Sequence, residues 1–339
     1  MNADGQDTLR GQPDLDLSGY GDSLFHSDAW TRSVEHAFGL DIDRFIAESE
    51  PAGSALYSVV DDLRGVRVVA TPFSDFCDPN LSSQVGWTEF SAHLRSFDVP
   101  VTVRPFQNPH ALADSSFERR SDLVWHGVDL RDGPDALFDR MVSKVRTKVR
   151  RAAKSGVEFR ISSCPDDVAL MHNMHVTLRK RKYRLLAQPL HFFTTLSEAF
   201  GEDMAVVVAE LDGEPLAAMT FFFHGPIAYY KFSASVPNRV YANQALMMFG
   251  IRQAAERGAQ LVDLGRSDID QPGLLRFKEQ FAPQSQRLTT LHWSPPDHAN
   301  PQDRNAGATL GALTELLTDD RVPDDISTRA GELLYRYFA

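Results

Sequence analysis

Only two cysteines, Cys77 and Cys164, occur in 339 residues, with neither the spacing of a metal site nor the density of a disulfide framework. A reduced, cytoplasmic setting fits such a chain. Net positive charge is missing as well: 35 lysines and arginines face 46 acids, a balance of −11. The surface as a whole repels polyanions, so any phosphate contact has to come from a local basic patch. No apolar run approaches the ~20 residues that cross a bilayer, and the first residues lack the basic start and apolar core of a secretion signal. Phosphate-cradling glycine loops and a Ser-His-Asp arrangement are absent too. His172 and His175 fall at i, i+3 with no carboxylate or third ligand beside them, so no metal site is expected.

What is present is enough apolar sequence, 42%, for two ordinary domains. Residues 1–23 are polar and read as a flexible leader. In 24–133, a helix over Ser27–Phe38 precedes strands at Arg44–Glu48, Ala55–Val60 and Val66–Ala70. A helix over Ser83–Phe97 and strands at Val101–Pro105 and Leu123–Leu130 follow. A continuous basic helix, Pro134–Ser155, links this domain to a second, 157–295. That second domain repeats the order: helices, a meander over Ala205–Leu211, Leu216–Phe223 and Ile227–Ser233, then a helix at Asn243–Arg257 and a strand at Gln260–Leu264. Val206-Val207-Val208 and Phe221-Phe222-Phe223 do not alternate with polar residues, which predicts strands buried on both faces. A short helix at Pro272–Phe281 and a strand at Gln286–Trp293 close the domain, and 296–339 is a helical tail. The class is α/β with mixed sheets, because a strand–helix–strand connection implies a parallel pair.

Four places carry candidate chemistry. Thirteen lysines and arginines stand between 140 and 184 against three acids. Lys144, Lys148 and Arg151 share one helical face, and Arg179 and Arg181 belong to a second run; together they predict a phosphate or tRNA surface. The bland alternative is a solvated helix face. Gly265-Arg266-Ser267-Asp268 ends a predicted strand, where open α/β sheets bind ligands, and Asp263 within that strand is placed to orient a neighbour. Lys278 lies beside the apolar stripe Leu274, Phe277 and Phe281, so its cation can face an oxyanion or simply snorkel to the surface. Arg239 precedes the long helix, whose first N–H groups can hold an anion; the alternative is a plain N-terminal turn with Asn243 as cap. Tyr229 and Tyr230 alternate along a strand, so only one can face a given side.

These residues resemble a known family. Lys231-Phe232-Ser233, Ala245-Leu246-Met247-Met248, Val262-Asp263-Leu264-Gly265-Arg266-Ser267 and Phe277-Lys278 are similar to the FemAB-like branch of the GNAT superfamily, beginning near Tyr230. Thr71-Pro72-Phe73-Ser74-Asp75-Phe76 resembles the Pro-Phe-Ser-Asp segment of that branch, which brings in Phe73 and Asp75. The resemblance implies tandem GNAT-like domains and transfer of an acyl or aminoacyl group to an amine, with Lys278 at the reaction centre. Members that build peptidoglycan bridges draw on charged tRNA. Residues 157–293 leave no room for the coiled-coil arm some of them insert. Acetyl-CoA-binding members carry two glycines before the long helix, whereas this chain reads Arg239-Val240-Tyr241-Ala242-Asn243-Gln244. The expected donor is therefore aminoacyl-tRNA, with no bound cofactor, and the acceptor an amine on an envelope precursor or small metabolite. An acyl-CoA-dependent N-acyltransferase is the alternative. A non-catalytic module for a nucleotide-linked ligand is the third class.

Overall fold

The structure is a computed structural model that describes residues 15, 17, 20, 22–282, 284–296 and 301–339. Its strands are β1 (Asp43–Ala47), β2 (Glu50–Asp62), β3 (Gly65–Val69), β4 (Val101–Val103), β5 (Glu118–Asp129), β6 (Glu158–Ser162), β7 (Met204–Leu211), β8 (Glu214–His224), β9 (Ile227–Ser235), β10 (Leu261–Asp268) and β11 (Gln284–Trp293). Its helices are α1 (Asp28–Phe38), α2 (Gln84–Arg95), α3 (Pro109–Ala113), α4 (Gly133–Arg140), α5 (Ser143–Lys154), α6 (Pro165–Leu178), α7 (Leu190–Phe200), α8 (Ala242–Glu256), α9 (Pro272–Lys278), α10 (Pro301–Leu317) and α11 (Asp324–Leu334). Among the described residues, no helix is long and apolar enough to cross a membrane.

All the strands form one sheet in the order β1-β2-β3-β4-β11-β5-β10-β9-β8-β7-β6. The predicted repeat is visible in it. Each half has an antiparallel meander, then a helix, then a strand parallel to the meander's last: β3–α2–β4 and β9–α8–β10. The halves then trade partners. β5, from the first half, pairs with β10, while β11, from the second, lies between β4 and β5. The strand over 286–293, expected to close the second domain, therefore sits in the first half's portion of the sheet.

The apolar residues explain the layers. Val206, Val208 and Phe222 pack with α1, α6 and α7 on one face, while Val207 and Phe221 pack with α5 and α8 on the other. Both faces of these strands are covered, as the unbroken runs require. The position of α8 depends on Gly250, since a Cβ there would come within 2.5 Å of the Phe221 ring. A third cluster buries Trp87, Phe90 and Leu94 of α2 against Tyr57, Val68 and Val101.

The linking helix is not continuous. Met141 and Val142 take extended backbone, separating α4 from α5, and each piece then buries its own apolar residues: Leu137 in α4, Val145 and Ala152 in α5. Pattern alone hid the break because both pieces carry helical periodicity.

Candidate active site

The loop after β3 is held in an unfavourable backbone. Thr71 (φ 52°) and Phe73 (φ 61°) are both left-handed, without the freedom of glycine. Ser74 donates its hydroxyl to the Thr71 carbonyl at 2.7 Å and tightens the turn. This aims Asp75 at two cations: Lys231 Nζ lies 2.8 Å from one carboxylate oxygen, and Arg266 Nε lies 3.6 Å from the other. Lys231 itself sits over the rings of Phe25 (4.8 Å) and Trp30 (5.4 Å), which favour a cation at their faces.

Parallel pairing between β9 and β10 stops at Tyr229 and Asp263. Beyond that pair β10 leaves β9 and runs on, paired with β5 alone, to Asp268 rather than ending at Leu264 as expected. Ligands in such sheets bind towards the carboxyl ends of strands. Asp263 fixes the mouth of this split. It accepts from Tyr20 Oη (3.0 Å), Trp125 Nε1 (2.9 Å) and the Gly265 amide (2.5 Å). Gly265 has φ 69°, and a Cβ there would lie 2.9 Å from Asp75 Oδ2, so backbone freedom and close approach both demand glycine. The irregularity in β10 between Asp263 and Arg266, where its register against β5 shifts, presents two carbonyls to the buried Lys278, whose Nζ donates to Gly265 O (3.0 Å) and Arg266 O (2.8 Å). An ammonium has three N–H donors. The third has no acceptor among the described residues.

Burial and charge set the protonation states here. Burial alone would raise Asp75, but Lys231, Arg266 and Lys278 outweigh it and hold the carboxyl below its ordinary value. Asp263 moves the other way, raised to about 6 by burial and by Asp75. Burial lowers Lys278 to about 8, with Lys231 and Arg266 acting in the same sense against the pull of Asp75 and Asp263. An amine that would be fully charged in water thus titrates near neutral pH, a property that clusters at functional sites.

The structure brings Asp75, Asp263, Arg266 and Lys278 together, with Phe277 next to Lys278 on α9. Ser267 is buried and its hydroxyl has no hydrogen-bond partner among the described residues. Tyr230 donates to Ser233 Oγ at 2.6 Å, and burial pushes its phenol up to about 12. Phe73 stacks with Phe38 and Tyr335, at ring separations of 4.1 and 5.8 Å. Three contributors went unseen in the sequence reading. Tyr20, inside the expected leader, is fully buried. Trp125 and Lys231 were read as a plain strand residue and part of a family motif.

The basic cluster divides in two. On α5, Lys144, Lys148, Arg150, Arg151 and Lys154 make no salt bridge among the described residues. Lys148 and Arg151 instead approach the Tyr241 ring, at 5.5 and 5.3 Å. Arg239 is exposed nearby in sequence, before α8. The second run is different. Arg181 pairs with Asp320 and Asp324, each at 3.2 Å, Arg184 with Asp320, and the buried Lys180 with Asp324 at 2.6 Å. Arg179 donates to the Leu186 carbonyl and lies over Tyr335. These side chains clamp the C-terminal segment, which already neutralises Arg181 and leaves α5 as the part of the basic cluster without ion pairs among the described residues. Asn243 is not the cap of α8 either. Tyr241, in left-handed backbone, holds that position and Asn238 Oδ1 accepts from the Ala242 amide, while Asn243 donates to Ser235 Oγ.

No group of three or more possible metal ligands occurs among the described residues. His172 and His175 both direct Nε2 at Gln188, which accounts for them structurally. Cys77 lies 3.2 Å from His26, but burial holds the thiol up at about 12 and the imidazole down at about 4, so the pair has no activated nucleophile.

Residues 139–279 match the family model described as the acetyltransferase (GNAT) domain. This segment is a GNAT domain. It runs from the end of α4 to just past Lys278, so the split between β9 and β10 belongs wholly to it. Among solved structures, FemX is similar over 89% of this chain and 97% of its own, at 14% identity and a TM-score of 0.64. The structure of L-PGS from Bacillus licheniformis is similar over 86% and 98%, at 14% identity and 0.54. A C-terminal domain assigned to a lysylphosphatidylglycerol synthetase of Agrobacterium fabrum is similar over 86% and 95%, at 14% identity and 0.53. No curated protein sequence matches the chain. The matched domain, the repeated order in the first half and the FemX-like fold agree with the FemAB-like resemblance, and the matched domain is of the acyltransferase type.

Proposed function

We propose that the protein moves an aminoacyl group from aminoacyl-tRNA to an amine on an envelope precursor or small metabolite, forming an amide. The observation that carries this reading is the unshared N–H of Lys278 at the mouth of the split. The acceptor amine attacks the ester carbonyl, and Lys278 donates to the oxygen as it becomes an oxyanion. The new C–N bond forms, the ester C–O bond breaks, and the proton lost by the amine ends on the ribose oxygen that leaves. Asp75 and Asp263 position and charge Lys278 without touching substrate.

The donor side rests on α5. Its cations have no salt-bridge partner among the described residues, and Tyr241 between Lys148 and Arg151 offers a ring on which a base can stack. The start of α8 lacks the glycines that let a backbone close on a pyrophosphate, and one of its free amides is already taken by Asn238. Lys148→Ala and Arg151→Ala are each expected to weaken tRNA binding and reduce the slope of log affinity against log salt by about 1. Arg181→Ala should change neither. An unchanged slope in both α5 variants, measured by filter binding across a salt series, would remove tRNA from this surface.

The acetyltransferase description of the matching family favours a second reading, an acyl-CoA donor on the same fold. Incubating the protein and an amine with charged tRNA or acetyl-CoA, with and without RNase, separates the two. Product that needs CoA and survives RNase overturns the proposal.

A further inference from the structure

On the sheet face where β3, β4, β11, β5 and β10 run side by side lies a cavity of about 370 Å³ lined by five arginines and two aspartates. Two of the arginines are already matched. Arg67 is held by Asp62 through two bonds of 2.8 and 3.0 Å, and Arg64 by Asp303 at 2.7 Å. The other three are not. Arg104 has a buried Nη1 with no hydrogen-bond partner among the described residues. Among the described residues, Arg266 has only its 3.6 Å approach to Asp75, and Arg120 only an exposed contact with Glu118 at 3.2 Å. His292 also faces the cavity, linked to Thr102 at 3.3 Å. The aspartates are Asp122 and Asp268, and Asp268 accepts from Gln271.

A buried donor left without a partner is costly, and a guanidinium more so. Arg104 keeps that cost beside further arginines, an arrangement that stabilises nothing in the protein alone. Three under-compensated guanidiniums exceed what one carboxylate needs and suit the charge and oxygen count of a phosphate, which arginine forks bind in pairs of hydrogen bonds. Arg266 joins this cavity to the reaction centre, because its backbone carbonyl accepts from Lys278 while its side chain lines the pocket. We propose that the cavity is a phosphate site and that the phosphate is carried by the acceptor, which makes the acceptor a phosphorylated or phosphodiester-bearing amine. The placement on the acceptor rests on the transfer reading above; the phosphate site itself does not.

The local electrostatics agree. Burial, then the neighbouring Arg266, lowers Arg104 to about 10. Burial, then Arg120 and Arg104, holds His292 below its usual value. Both groups sit in a net positive field that Asp75, Glu118 and Asp122 offset only in part.

The test needs neither donor nor turnover. Inorganic pyrophosphate is titrated into the full-length protein by calorimetry at constant ionic strength. The wild type is expected to bind saturably, and Arg104→Met at least about 10-fold more weakly. In phosphate-free buffer Arg104→Met should melt at or above the wild-type temperature, since an uncompensated charge is gone, while pyrophosphate should raise the midpoint of the wild type only. If Arg104→Met does not fold, Arg120→Gln on the rim gives the reading, with a several-fold loss expected. Arg32→Gln, on the exposed face of α1, should change nothing. Absent binding, or equal affinity in the wild type and the cavity variants, overturns the site. Pyrophosphate that leaves bound tRNA in place supports assignment to the acceptor, and pyrophosphate that displaces tRNA in the same concentration range overturns it. A failure of Lys278 variants to affect transfer would leave this binding result standing, so the two ideas fail separately.

Discussion

Lys278→Ala is expected to lower turnover by about 10²-fold or more, with the fold intact. The lysine reaches the split from α9 with two N–H groups fixed by the carbonyls of Gly265 and Arg266, so the third is pre-aimed and costs no reorganisation when charge develops. Removing it leaves the new oxyanion in a site without a replacement donor on that side. The variant should melt close to the wild type, because the two carbonyls lose their donor but a buried charge is also removed. Activity that depends on the ammonium should fall above about pH 8, where Lys278 gives up its proton. In the same range stability should rise with pH up to the ordinary lysine value, since the unfolded chain holds the proton that the folded chain has lost. Lys278→Arg keeps its charge throughout and should flatten the falling limb. Near-normal turnover by folded Lys278→Ala, measured at saturating acceptor, would end the proposed role.

Asp75→Asn should produce the largest loss of stability of any single polar change in this region, about 3–5 kcal/mol. Asp75 is the anion that Lys231 and Arg266 approach and that supports the charge on Lys278. Neutralising it strands Lys231, whose side chain is only 8% exposed, between two aromatic rings with no counter-charge. It also shifts the falling limb of the pH–rate profile below that of the wild type, because Lys278 loses its strongest support for the protonated form. The sign reverses in acid. Asp75 has a depressed pKa, so it stabilises the fold above the ordinary carboxylate value and loses that contribution as pH falls through its own. The variant lacks that acid sensitivity. A denaturant titration giving less than about 1 kcal/mol would mean that the cations find other partners.

Much of this was legible in the sequence, for reasons that differ by element. The unbroken apolar runs of β7 and β8 announced burial on both faces, while the strand expected to end at Leu264 runs on through Gly265-Arg266-Ser267 to Asp268. Lys278 stood out by its place beside an apolar stripe. What escaped notice depends on neighbours far apart along the chain. Tyr20 and Trp125 meet at Asp263 across 243 and 138 residues, and nothing local to either marks the meeting. Periodicity reports which face a strand presents but not which strand lies beside it, so the position of β11 was invisible. Arg181 and Lys180 looked free because their counter-charges lie about 140 residues away, Asp320 in the turn between α10 and α11 and Asp324 at the start of α11.

The exchange of β5 and β11 also limits how this molecule can be taken apart. A cut near Gly156 would leave the N-terminal piece with a gap between β4 and β5, and the C-terminal piece with β10 and β11 lacking the strand that joins them. Neither fragment keeps a closed set of backbone hydrogen bonds. Mixing the two pieces should restore more structure than either shows alone. The same interlock discourages module shuffling: a foreign second half would have to bring a strand that fits the host's first half.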